Sequence, residues 1–381
     1  MSTRHLLLTA LLCAVPALSG CGSSDAPQPA KPPGTAGLAA VVANPDVPRE
    51  ALASRIDALF ADPKAGETRA LLVLHRGRIV AERYGPGYHE NTRFAGWSMT
   101  KSVTGVLIGL LVSDGRLQLD EGVPVPAWQR PGDPRGEITL RQLLQMRSGL
   151  RHSEAIDPAY ESDEVRMLFL DGRDDMAAYA EAQPLEAEPG RKFEYSSATS
   201  VILADIAAHA LTQSSDPAVR RQAVADYLRT RVLEPLGMRS AIPEFDAAGT
   251  FVGSSMLNAT ARDWGKFGDF LRNVGSVRGA QIVPRVWIEF MTTSSPRNPG
   301  YGAQLWTNHP QSDGKEVLFP GQAPANVIAC IGHLGQFVIV SPSQKLTIVR
   351  LGQTDNQATG DPGRAALRAR LGSIAALFPK D

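Results

Sequence analysis

The chain has 381 residues, 43% hydrophobic and 20% charged, a balance that fits a folded globular protein with a large core. Lysine and arginine number 39, as do aspartate and glutamate, so the formal net charge is zero. With no Lys/Arg run there is no concentrated basic surface for nucleic acid, and seven scattered histidines without a His-Glu-x-x-His motif give no metal site.

Arg4 and His5 precede an apolar run from Leu6 to Leu18, broken only by Thr9 and Pro16. This reads as a short positive region followed by a signal h-region, too short for a stable membrane-spanning helix. It ends in Leu18-Ser19-Gly20-Cys21, which resembles a bacterial lipoprotein signal. That resemblance implies cleavage before Cys21, a lipid on its thiol, and a membrane anchor in the cell envelope. Gly22, where an aspartate is absent, points by the same resemblance to the outer membrane, facing the periplasm. The expected division is therefore a signal over 1–20, a Pro/Ala/Gly-rich flexible tether over 21–48, and one globular domain over 49–381.

The domain opens with an expected helix over 50–61. Residues 70–75 and 79–84 are two apolar runs around Arg76-Gly77-Arg78, the pattern of a β-hairpin. The stretch 102–113 is apolar nearly all round, so it reads as a buried helix, with Gly105 and Gly109 on one face for close packing. Residues 151–185 and 240–260 carry no clear period and read as loops. A second hairpin is expected from 337–340 and 346–351, and a last helix over 362–377. Pairing the two hairpins gives one antiparallel sheet built from both termini, flanked by helices, with a helical insertion between its halves: an α+β fold. Cys330, in the apolar run Val327-Ile328-Ala329-Cys330-Ile331, reads as a small core side chain.

Three short elements carry chemistry. Ser98-Met99-Thr100-Lys101 stands at the mouth of the buried helix, which places Lys101 one turn from Ser98 on the same face. Burial lowers a lysine's proton affinity, and a neutral lysine can take a serine proton. The same spacing recurs at Ser312-Asp313-Gly314-Lys315, but in a polar turn with no helix after it, and that copy is assigned no role. Tyr195-Ser196-Ser197 heads a second apolar helix; taken alone, Tyr195 reads as a core aromatic. Gly332-His333-Leu334-Gly335-Gln336 opens the last hairpin, where a glycine at a strand mouth lets a ligand approach the backbone. Trp97 is open between a core role and a place lining the site.

In order and rough spacing, Ser98-x-x-Lys101, Tyr195-Ser196-Ser197 and His333-Leu334-Gly335 resemble the three motifs of class C-type serine β-lactamases and their penicillin-binding-protein-like relatives. Residues 138–150, 251–255 and 260–264 also look familial. The resemblance runs from about residue 71 to 377, and looks closest to β-lactamase-like esterases and nylon-oligomer (aminohexanoate-dimer) hydrolases. It implies a β-lactamase/transpeptidase-like fold and a covalent acyl-enzyme on a small ester or amide, with no cofactor. It implies Ser98 as nucleophile and Lys101 as the base that also holds Tyr195 partly deprotonated. Tyr195 becomes a proton shuttle, and the backbone N–H groups of Ser98 and Gln336 an oxyanion hole. Two departures bear on substrate: Ser197 stands where the family usually has Asn, and His333 where it usually has Lys. Both weaken recognition of penicillins and D-amino-acid peptides. A cell-wall D-amino-acid peptidase or weak β-lactamase, and a non-catalytic envelope protein that binds peptidoglycan fragments, are the alternative expectations.

Overall fold

The computed structural model describes residues 32–319, 321–354 and 362–380. The signal and Cys21 lie outside the described residues. Among those described, no helix is long and apolar enough to cross a membrane.

Both hairpins form as expected and join in one sheet. Its six strands lie in the spatial order Arg78–Tyr84, Glu67–His75, Leu346–Gln353, Gln336–Ser341, Ile328–Gly332, Trp306–Thr307, all neighbours antiparallel. The first strand of the chain therefore pairs with the last, Leu72 opposite Val349. Strand side chains alternate between two cores. Ala70, Leu72 and Leu74 face one core together with Val338, Val340, Val349 and Leu351. Leu71 and Val73 face the other with Phe337, Ile339 and Ile348. A sheet covered on both faces explains why these strands read as continuous apolar runs.

The second core is closed by helix Arg49–Ala61, through Leu52, Ile56 and Leu59, and by the last helix, Pro362–Ala375, through Leu367, Leu371 and Ile374. The first is closed by Ala261–Arg272, whose Gly268 lies against Thr347 and Val338, and it continues into the helical half. There Thr100–Ser113 and Ser197–Leu211 run through the interior. Gly109 packs as expected, but what fits against it is a side chain, not a backbone: a Cβ there would lie 2.1 Å from Trp287 Nε1. The same indole donates to Gly105 O at 3.0 Å.

Two expectations are corrected. A flexible tether is expected as far as residue 48, yet Thr35–Ala40 is a short helix and Val41 bridges to Ala81. Val41 is buried in the second core with Leu38 and Ala40 beside it, and much of the docking runs through the backbone. Arg49 bonds Leu38 O at 2.5 Å, Gly34 N–H donates to Asp57 at 2.6 Å, and a Cβ on Gly37 would meet Ala53 O at 2.6 Å. A test based on large apolar side chains misses contacts of that kind. The supposed loop 151–185 holds two short helices, Asp163–Phe169 and Met176–Glu181, capped by Ser162 and Asp175.

Candidate active site

Ser98 lies on a single 3-10 turn, Trp97–Met99, that feeds directly into helix Thr100–Ser113. Trp97 just before it has φ of 48°, the left-handed region, which is uncommon for a bulky residue. The turn is held from both sides. Gly96 N–H donates to Leu257 O at 2.9 Å, and a Cβ on Gly96 would lie 2.4 Å from the Trp264 ring. Ser98 is half-buried, on the open side of the turn.

Lys101 is 1% exposed. Its Nζ lies 2.9 Å from Ser98 Oγ, 2.9 Å from Ser197 Oγ and 3.1 Å from Ser254 O. Burial lowers its proton affinity, against the pull of Glu154 and Glu164. The segment around Ser254 is tied to the helix by Thr104 Oγ1 to Gly253 O at 2.7 Å and Leu257 N to Thr100 Oγ1 at 3.1 Å. That is the local reason residues 251–255 belong to the site.

Tyr195 stands with its ring centroid 5.0 Å from Lys101 Nζ and its hydroxyl near enough to Ser98 to be influenced by it. Tyr301 and Trp306 pack its ring at 5.7 and 5.3 Å. Burial, then the Glu154 charge, push its hydroxyl well above the ordinary range, with Ser98 opposing. The expectation of a partly deprotonated Tyr195 therefore runs against its surroundings: the phenol is the stable form. Its position is fixed by the next residue. Ser196 caps the helix Ser197–Leu211, its Oγ accepting from Thr199 N–H at 3.1 Å. His152 completes that cap. Its Nε2 lies 3.1 Å from Ala180 O, which can only accept, so Nε2 carries the proton and Nδ1 accepts from Ser196 at 3.1 Å. Burial lowers the proton affinity of His152, which suits this neutral form.

Two residues of the site went unnoticed in the sequence. Glu154 accepts from Ser197 N–H at 2.6 Å and from Ser197 Oγ at 2.6 Å. Glu164 Oε1 lies 3.3 Å from the same hydroxyl. Burial pushes Glu154 up to about 7, with Lys101 opposing and Glu164 adding. Glu164 is raised by burial too, against the Lys101 charge. Glu154 lies in an irregular segment, 43 residues from its partner, so no local pattern marks it. The signal available was a cluster of carboxylates from Glu154 to Glu164, with Asp157, Glu161 and Asp163 between them.

The third element divides. Trp97 and His333 come together with ring centroids 5.2 Å apart in an edge-on arrangement, so Trp97 faces this turn at the rim. His333 is exposed; desolvation, then Arg364, lower its proton affinity, so it supplies no fixed positive charge near pH 7. Gly332 meets the Ser98 turn directly: a Cβ there would lie 2.5 Å from Gly96 O. Gly335 and the Gln336 side chain point elsewhere. A Cβ on Gly335 would meet Leu367 and Arg350, and Gln336 Nε2 donates to Gly352 O at 2.6 Å. Arg350, 0% exposed, donates to Gly335 O and Glu67 O at 2.9 Å each. These side chains hold the 332–336 turn from behind, and its backbone is what meets the site. Cys330 is a core residue as expected, 1% exposed, its thiol pushed up to about 12 by burial. Lys315 pairs with Asp313 at 2.8 Å in an exposed turn, as that second tetrad predicted.

A sequence profile of the Beta-lactamase family matches residues 56–373. The 6-aminohexanoate-dimer hydrolase of Paenarthrobacter ureafaciens is 26% identical over 319 residues, covering 82% of this chain and 79% of that one. A Bacillus anthracis structure proposed to be a 6-aminohexanoate-dimer hydrolase superposes with a TM-score of 0.68 at 23% identity, over 84% of this chain and 81% of that chain. A family VIII carboxylesterase superposes with a TM-score of 0.56 at 18% identity, over 83% and 95%. At these identities the two structures establish a shared β-lactamase/transpeptidase-like fold.

Proposed function

The chain belongs to the beta-lactamase family of hydrolases, and from that premise we propose that it cleaves a small ester or amide through a covalent acyl-enzyme on Ser98. The observation that carries this reading is the contact of Lys101 Nζ with Ser98 Oγ at 2.9 Å, inside an apolar helix mouth that disfavours the charged lysine. Neutral Lys101 takes the Ser98 proton as Oγ attacks the carbonyl carbon. Tyr195, as the phenol, stands beside Ser98 to pass a proton to the leaving group. The developing oxyanion is held by the Ser98 N–H together with a backbone N–H of the 332–336 turn, expected from Gln336. Losing one such donor costs about 3 kcal/mol in transition-state stabilisation. Water then hydrolyses the acyl-enzyme.

Substrates that carry a carboxylate near the scissile bond fit this site poorly. His333 offers no fixed cation for it, and Glu154 and Glu164 beside Ser197 add none. Neutral esters and amides are favoured over penicillins and D-amino-acid peptides. The aminohexanoate-dimer hydrolase relative supports the amide side of this reading, and the carboxylesterase fold the ester side. Ser98→Ala is expected to abolish turnover of p-nitrophenyl acetate with the thermal melt unchanged. Retained turnover would move the nucleophile elsewhere.

The reading includes a lipid anchor at Cys21 that holds the enzyme to the envelope membrane. Cys21→Ala is expected to release the protein from the membrane fraction into the soluble one. Continued membrane fractionation argues against the anchor.

A further inference from the structure

Lys101 faces three hydrogen-bond partners, Ser98 Oγ, Ser197 Oγ and Ser254 O. An ammonium has three protons and no lone pair, so in that form every proton is placed and none can be received. To act on Ser98 the lysine must first pass a proton on. Ser254 O is a carbonyl and only accepts hydrogen bonds. Ser98 is the group whose proton must travel the other way. Ser197 is the remaining exit, and its hydroxyl lies 2.6 Å from Glu154 Oε1.

We propose that Glu154 is the proton acceptor that frees Lys101, reached through the Ser197 hydroxyl. This inference rests on the hydrolase reading above. One Nζ proton moves to Ser197 Oγ as the Ser197 hydroxyl proton moves to Glu154 Oε1. A +1/−1 pair becomes two neutral groups, and the total charge is unchanged. The lone pair left on Nζ then takes the Ser98 proton as Oγ bonds to the carbonyl carbon, and the carbonyl oxygen gains the negative charge. Ser197 keeps a hydroxyl throughout, and its proton can turn to Glu164 Oε1 at 3.3 Å. When the tetrahedral intermediate collapses, the leaving group takes a proton from Lys101 or Tyr195.

The surroundings favour the transfer. Burial disfavours charge on both Lys101 and Glu154, so a neutral pair loses less than an ion pair held out of water. The groups facing Glu154 are Lys101, Ser197, Glu164, Tyr195 and Tyr301. Of these, Lys101 and the two hydrogen bonds from Ser197 oppose protonation of Glu154, and burial together with Glu164 favours it. A carboxylate pushed up to about 7 is a base matched to neutral pH. Glu154 acts through Ser197 and Lys101, not on the substrate, so Ser197 here replaces the usual amide with a group that can carry a proton.

The test is the pH dependence of p-nitrophenyl acetate hydrolysis and of fluorophosphonate labelling, on the full chain and on Glu154→Gln. Glutamine keeps an acceptor for Ser197 N–H and cannot take the proton. The wild type is expected to lose activity as pH falls through about 7, because Glu154 is then already protonated. Glu154→Gln is expected to be slower by about 100-fold at high pH and to shift that acid limb away from about 7, since protonation of Lys101 alone then sets it. Ser197→Ala should show the same loss, and the double variant no further loss, because both cut one path. A purely structural role would lower the rate and leave the limb in place. Labelling of wild-type Ser98 with an unchanged limb in Glu154→Gln overturns the relay alone. A wild type that neither labels nor turns over the ester overturns the hydrolase reading and the relay with it.

Discussion

His152 shows how far the site's support extends from its reacting atoms. The imidazole bonds Ala180 O and Ser196 rather than Ser98 or Lys101, and Ser196 sets the helix start that places Tyr195 and Ser197. Its folded proton affinity is lowered by burial. The unfolded chain takes up a proton on this residue below its ordinary value of about 6.5, and the folded chain resists. The stability it contributes is thus present above that value and lost as pH falls. Thermal melts between about pH 7 and pH 5 should drop more steeply for the wild type than for His152→Gln. Parallel curves would remove His152 from the account. The same scale sets what was legible in the sequence. Ser98 and Lys101 could be found because they share a helix face four residues wide. Glu154 could not, because its contact to Ser197 spans 43 residues and Glu154 itself lies outside any helix or strand.

Helix Thr100–Ser113 is the element on which the site depends, and its packing is tight along one side. Gly109 admits the Trp287 indole, which also donates to Gly105 O, and Gly105 lies against Met291 and Gln304. Gly109→Ala puts a methyl where the indole nitrogen now stands. It should destabilise the fold by about 1–3 kcal/mol, read by denaturant melts. Unchanged stability would mean that Trp287 moves aside at no cost. The period of this helix and of the strands was readable because apolar side chains do their packing. The short helix Thr35–Ala40 was not, since backbone groups and Arg49 hold it. The turn 332–336 was readable as a turn, but the Gly335 carbonyl accepts from Arg350 and the Gln336 side chain donates to Gly352 O behind it, a division that spacing alone does not express.

Across the whole molecule, the sheet closes the two ends of the chain onto each other, Glu67 opposite Gln353 and Leu72 opposite Val349, and the helical insertion brings its own residues to the sheet's edge. The cluster forms there. Ser98 and Lys101 come from the helix after the first hairpin, Tyr195 and Ser197 from the insertion, and Gly332 and His333 from the mouth of the last hairpin. No stretch of sequence contains the site, and only the fold assembles it. The central claim is that this assembly makes Ser98 nucleophilic. Intact mass of residues 22–381 after a fluorophosphonate probe, beside Ser98→Ala, tests it most directly. One adduct per chain is expected in the wild type and none in the variant. A folded wild-type protein with no adduct, or an adduct that persists in Ser98→Ala, would contradict it.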